Sequence, residues 1–252
     1  MEDPALAKGL VERDIIRIIT PGTVTESYML EEGKSNYICA VFMDAGAAGA
    51  AFCDVSTGEF CACAFSGADS AVHIVNELGR FSPREALLSP GAAQDAEVTD
   101  FLTKKLGAMP EYDNGGFDFL AAAITVCSRF DVSDVDELGM GDTPAAVCAA
   151  GALLKYIADT QKFDLGHINR LDLIGGGRYM ELDFTTRRNL ELTEALRSGE
   201  KRGSLLWVLD KTKTPMGGRL LRSWVERPLL SPVGIKRRLT AVNELYNDNV
   251  LR

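Results

Sequence analysis

Histidine is nearly missing from this 252-residue chain, which holds only His73 and His167. That scarcity withdraws the commonest general base and the commonest metal-binding imidazole. No GxSxG stands in the sequence and neither histidine has the setting of a base beside a nucleophile, so both read as structural and no catalytic residue is assigned. A GxxxxGK[ST] loop is also missing. Gly175-Gly176-Gly177 lacks the lysine that would meet phosphates and leads into a strand-like run, which makes it a hairpin turn and leaves no cofactor-binding residue. The six cysteines lie mostly in apolar runs. Cys61 and Cys63 share one face of an expected strand, but no CxxC pair or nearby histidine completes a ligand set, so the thiols read as reduced core residues and no metal site is assigned. Apolar stretches such as 145–154 stop well short of the roughly 20 residues that span a bilayer. With Glu2, Asp3 and Pro4 in place of a basic and then apolar leader, a cytoplasmic protein without a membrane span is expected.

What the chain does have is the means to bury a core: 46% apolar residues against 25% charged. Its charge is divided. Residues 1–166 carry 11 Lys and Arg against 26 Asp and Glu, a net of −15, whereas 167–252 carry 16 against 10, a net of +6. Such a change of sign points to two units in different surroundings.

The first unit reads as mixed α/β. Runs at 14–20, 36–43, 47–55 and 58–65 are β-branched, aromatic or small and apolar, and turn residues punctuate them; the last three form a meander. From Asp69 the spacing of Val72, Val75, Leu78 and Phe81 changes to that of a helix, 69–80. A strand at 85–89, a helix at 94–106, a strand at 108–112 and a helix at 117–130 follow, giving a mixed sheet with flanking helices. Thr143-Pro144 supplies a cap and a first-turn proline for a helix over 144–162. Its inner face carries Val147, Gly151, Leu154 and Ile157, and Lys155, Asp159 and Lys162 share an outer stripe.

The second unit opens with 171–174 and 179–182, read as a hairpin or an extended crossing, and then becomes helical. Thr214-Pro215 and Ser231-Pro232 start helices over 215–227 and 232–247. Met216, Leu220, Leu221, Trp224 and Val225 make an apolar stripe on the first, and Ile235, Leu239, Val242 and Tyr246 on the second. Both stripes require partners, and a truncated larger helical domain accounts for them.

Two chemical readings can be weighed. Asp44, Asp54 and Glu59 stand at or beside the ends of the first strands, where a metal-dependent nuclease of ribonuclease H-like architecture gathers its acids. Against that reading, Asp54 precedes Ser-Thr-Gly as turn chemistry demands. The basic runs Arg187-Arg188, Lys201-Arg202 and Lys236-Arg237-Arg238 lack interleaved aromatics and alternate with acids, so they read as solvated helix faces.

Several stretches resemble a known family. Thr20-Pro21-Gly22-Thr23 and Asp54-Val55-Ser56-Thr57-Gly58-Glu59-Phe60 are similar to the connector domain of the MutS family of DNA mismatch-repair proteins. Leu182-Asp183-Phe184-Thr185-Thr186-Arg187-Arg188-Asn189-Leu190-Glu191-Leu192 resembles that family's motif at the start of its core, or lever, domain. Thr214-Pro215-Met216-Gly217-Gly218-Arg219-Leu220-Leu221, with Trp224 and Pro228-Leu229, continues the likeness in register. The resemblance implies residues 1–13 as the tail of a mismatch-reading domain, 14–166 as a ribonuclease H-like connector and 167–252 as the start of an all-α lever, with no enzymatic activity in this piece. It further implies a full protein that binds mismatched DNA, ATP and magnesium through domains outside this stretch, forms a homodimer, and docks a MutL-type partner on the connector. On that footing Lys155, Asp159 and Lys162 are assigned to partner docking; the composition of the linker 163–170, where Gly166 permits a backbone change, assigns Gly166 and His167 to a hinge between the units.

Overall fold

A computed structural model describes residues 18–25, 34–113, 115–162, 165–175, 179–180 and 182–248. Alternating small and branched apolar residues form three antiparallel strands, β1 (Tyr37–Asp44), β2 (Ala47–Asp54) and β3 (Glu59–Ser66). Ala45 and Gly46 both take positive φ between β1 and β2, the two-residue turn whose twist suits a hairpin. After helix α1 (Ser70–Phe81), β4 (Glu85–Leu88) pairs in parallel with β1. Helices α2 (Pro90–Gln94) and α3 (Ala96–Asp100) follow, the latter running into a π-helical stretch, Phe101–Leu106. Strand β5 (Met109–Tyr112) then pairs in parallel with β4. Helices α4 (Phe119–Phe130) and α5 (Pro144–Gln161) precede a short last strand, β6 (Leu171–Leu173), parallel to β3. The order β5-β4-β1-β2-β3-β6 is a ribonuclease H-like sheet with one strand added beside β3.

Because strand side chains alternate between faces, each strand supplies both layers of core. Ile38, Ala40, Ala51, Cys53 and Phe60 face α4 and α5. Cys39, Val41, Phe52, Cys61 and Cys63 face α1, α2 and α3. Helix α5 approaches the sheet on alanines: Ala145, Ala146, Ala149, Ala150 and Ala152 are all buried. Gly49 makes this approach possible, since a Cβ there would stand 2.2 Å from the carbonyl oxygen of Ala145. The remaining elements are helical: α6 (Phe184–Asn189), α7 (Leu205–Leu209), α8 (Pro215–Glu226) and α9 (Pro232–Asn247). The expected apolar stripe of α9 is open to solvent, with Leu239 62% exposed, whereas on α8 Met216 and Leu220 are exposed and Leu221, Trp224 and Val225 are half-buried.

Several expectations change. The strand at 14–20 lies outside the described residues up to position 17, and 18–20 is not strand; instead the Ile18 amide donates to Thr160 O at 2.8 Å. Of the two readings of 171–174 with 179–182, it is the hairpin that does not form. Leu171–Leu173 completes the sheet of the first unit beside β3, and Tyr179 bridges to Leu229, because the edge of β3 offers backbone partners that a hairpin would only duplicate. Gly176 and Gly177 of the expected turn lie outside the described residues. The helix expected over 94–106 is present as α3 and its π-helical continuation, 96–106, and a separate short helix, α2, precedes it: Asp95 ends α2 and caps α3 through its carboxylate. Thr143 does not cap α5 with its side chain, which turns back to donate to Met140 O at 3.0 Å. Thr214 and Ser231 do cap, accepting from the amides of Gly217 and Gly234. The short helices α6 and α7, capped by Asp183 and Ser204, fall in the stretch expected to be helical without given bounds.

Candidate functional site

The acids of the nuclease reading are separated by the fold. In the β1/β2 register Asp44 stands opposite Ala47 at one end of the strands, whereas Asp54 and Glu59 pair at the other end. At about 3.3 Å per residue, eight-residue strands hold the two ends more than 20 Å apart. Both acids of the second group are already engaged. Buried Asp54 accepts from the Ser56 amide and hydroxyl at 3.0 and 2.6 Å and from the Asn36 amide at 3.2 Å. Glu59 accepts from the Tyr37 hydroxyl at 2.7 Å. Among the described residues no group of three or more His, Cys, Asp or Glu gathers where a metal would sit.

Lys155, Asp159 and Lys162 are all exposed on α5, and Lys162 ends the helix with φ 49°. Gly166 and His167 stand in an exposed turn between two buried residues, Leu165 and Ile168. The turn is anchored. Arg129 donates from α4 to the carbonyls of Leu165 and Ile168, and His167 Nε2 lies 2.7 Å from Val55 O.

The most developed polar geometry lies where the helical segment meets α1. Asp183 caps α6 by accepting from the Thr186 amide at 2.5 Å, which aims the first turn of α6 at α1. The Phe184 amide donates to Asn76 Oδ1 at 3.3 Å, and Arg187 Nη2 donates to Asn76 O at 2.6 Å. The Phe184 ring packs over Gly79 and meets Phe101 edge to face, with centroids 5.1 Å apart. From the end of α8, the Arg227 guanidinium lies 4.5 Å from the centroid of Phe81, a ring stacked on Phe52 at 4.0 Å. A contact of this kind contributes about 0.5–2 kcal/mol, more when desolvated.

Charge at this seam is balanced within each helix. Arg80 pairs with Glu77 at 2.8 Å on α1, and Arg222 with Glu226 at 2.9 Å on α8. Burial pushes the Arg187 guanidinium down to about 10, which leaves it a cation at neutral pH. Burial also pushes the Glu226 carboxyl up, against the pull of Arg222 and Arg187.

The quoted motifs supply Asp183, Phe184 and Arg187 to this seam. Their receivers Asn76 and Gly79 had no assignment. One signal was available: glycine inside a helix costs up to about 1 kcal/mol relative to alanine, and a helical Gly79 therefore called for a packing reason.

A ribonuclease H-like sheet whose first helix is bonded to a following helical segment defines a two-part module. Family models agree on which one: residues 36–169 match MutS domain II and residues 185–252 match MutS domain III. The chain belongs to the MutS family of DNA mismatch-repair proteins. It is 44% identical over 252 residues to the DNA mismatch repair protein MutS of Symbiobacterium thermophilum, covering 100% of this chain and 29% of that protein. It is 40% identical over 256 residues to the protein of the same name from Alkaliphilus oremlandii, again covering 100% of this chain and 29% of the relative. The chain thus spans under a third of the length of these relatives. Among the described residues no helix is long and apolar enough to cross a membrane.

Proposed function

We propose that this chain is the coupling segment of a MutS-type mismatch-repair protein, carrying conformational information between a mismatch reader and an ATPase. The α1/α6 seam carries this reading. It joins the sheet domain to the helical segment by directional bonds at Asn76 and by the seating of Phe184 over Gly79, an arrangement that is either made or broken. Coupling between distant sites needs such discrete states, not mere position between them. In this reading mismatched DNA, ATP and magnesium are bound by other parts of the full-length protein, which works in the cytoplasm as a homodimer, and the present chain hydrolyses nothing.

The turn at Gly166 and His167 serves as the pivot. Its movement must release the bonds to Arg129 and Val55, which favours two positions over a continuum. Replacing Gly166 by proline is expected to change the interdomain orientation seen in solution scattering; an unchanged profile removes the pivot.

The exposed strip of Lys155, Asp159 and Lys162 is the docking face for a MutL-type partner. Charge reversal at these three positions in the full-length, ATP-bound protein is expected to weaken MutL binding at least fivefold. Unaltered binding removes the strip.

A further inference from the structure

A cleft of about 930 Å³ opens beside the seam, with one wall from the sheet domain and the other from α8. Arg80 and Lys105 line it on the first wall, Arg219 and Arg222 on the second. Its carboxylates are already committed: Glu59 to the Tyr37 hydroxyl, Glu194 to Lys34 and Arg222, and Glu226 to Arg222. Two of its guanidiniums keep donors without a partner, those of Arg80 and Arg219. The Arg80 side chain is only 9% exposed and pairs with Glu77 through Nη1, which leaves its Nε and Nη2 buried without a hydrogen-bond partner. Arg219 Nε is buried and unpartnered in the same way. Buried donors are nearly always satisfied, so unsatisfied donors from both walls of one cleft call for an acceptor.

The geometry points to a binding site for a small molecule carrying two or more linked phosphate groups, held between Arg80 and Lys105 on one side and Arg219 on the other. Guanidinium forks match the spacing of phosphate oxygens, and Lys105 adds a point charge. The volume lies within the range of small-molecule sites and exceeds what a single phosphate fills. Such a ligand would bridge the two walls and fix their separation. The inference goes beyond the coupling role, since a seam that binds no phosphate would still join the two units through Asn76 and Phe184.

The test is calorimetric titration of the whole chain with inorganic pyrophosphate and tripolyphosphate at constant ionic strength, with glutarate as a dicarboxylate control. Saturable one-site binding of both phosphates is expected, with glutarate at least tenfold weaker. Arg219→Gln and Lys105→Gln are each expected to weaken binding about tenfold or more. Neither removes a hydrogen bond from the seam, so both variants should keep the parent circular dichroism and hydrogen exchange at α1 and α6. Non-saturable heats, equal affinity for glutarate, or wild-type affinity in both variants would each overturn the site. The seam itself is read separately by exchange in the absence of phosphate.

Discussion

The main-chain carbonyl of Asn76 accepts from the Arg187 guanidinium at 2.6 Å, joining residues 111 positions apart, while the Asn76 side chain accepts the first free amide of α6. Arg187→Ala removes a charged donor from a half-buried acceptor. A loss of about 1.5–3 kcal/mol in docking of the helical segment is expected. Hydrogen exchange should quicken in Phe184–Asn189 while β1 and β2 stay protected.

Gly79→Ala sets two effects against each other. Alanine gains up to about 1 kcal/mol of helix propensity, but its Cβ would stand 2.6 Å from Phe184 Cδ2 and 3.1 Å from Phe101 Cζ. Those rings hold each other edge to face, and overpacking of this kind costs about 1–3 kcal/mol. A lower melting temperature is expected, partly recovered when Phe184→Leu is added. Additive effects of the two substitutions would show that they do not meet.

Tyr156 ties α5 to β4 and β5. Its hydroxyl lies 2.5 Å from Glu85 Oε1 and 2.6 Å from Glu111 Oε2, and Glu85 Oε2 accepts from the Gly22 amide at 2.9 Å. Burial and then the two glutamates push the phenol well above its usual range, so it remains a donor. Tyr156→Phe leaves a buried carboxylate oxygen short of a proton, and denaturant unfolding should show a loss of about 1–3 kcal/mol.

Periodicity made most elements legible, because strands and helices long enough to show their repeat reveal a buried face: β1 to β3, α1, α4, α5, α8 and α9 fall within a few residues of expectation. The strand Leu171–Leu173 lies within the extended run expected at 171–174, but its partner Phe60–Ala62 did not show, since it lies far away in sequence. The side chain of Thr143 went to Met140 because that carbonyl lay nearer at the end of a turn, a choice no local pattern encodes. At the candidate site, motif resemblance carried Asp183, Phe184 and Arg187, but their receivers on α1 read only as a helix face. Asp44, Asp54 and Glu59 looked alike in sequence, and only strand register put them at opposite ends.

Acid should loosen the 191–212 region through Asp210. A hydrogen bond from Lys201 and two from Thr212 hold its carboxyl at about 2, below the ordinary range. A depressed folded value gives stability that is present above the unfolded value near 4 and is lost as pH falls through about 2. The pair is exposed, so about 1 kcal/mol or less is expected. Asp210→Asn should flatten the unfolding profile between pH 4 and 2, and a carboxyl resonance of Asp210 titrating near 4 would contradict this.

The central claim is that the seam at Asn76 holds the two units in one discrete arrangement that can be released. Electron-spin distance measurement between labels at Lys104→Cys and Lys236→Cys, in a Cys127→Ser background, reads this directly. A single narrow distribution is expected, with a second, separate distance appearing on Arg187→Ala. A broad distribution before the substitution, or one unmoved by it, would contradict the account.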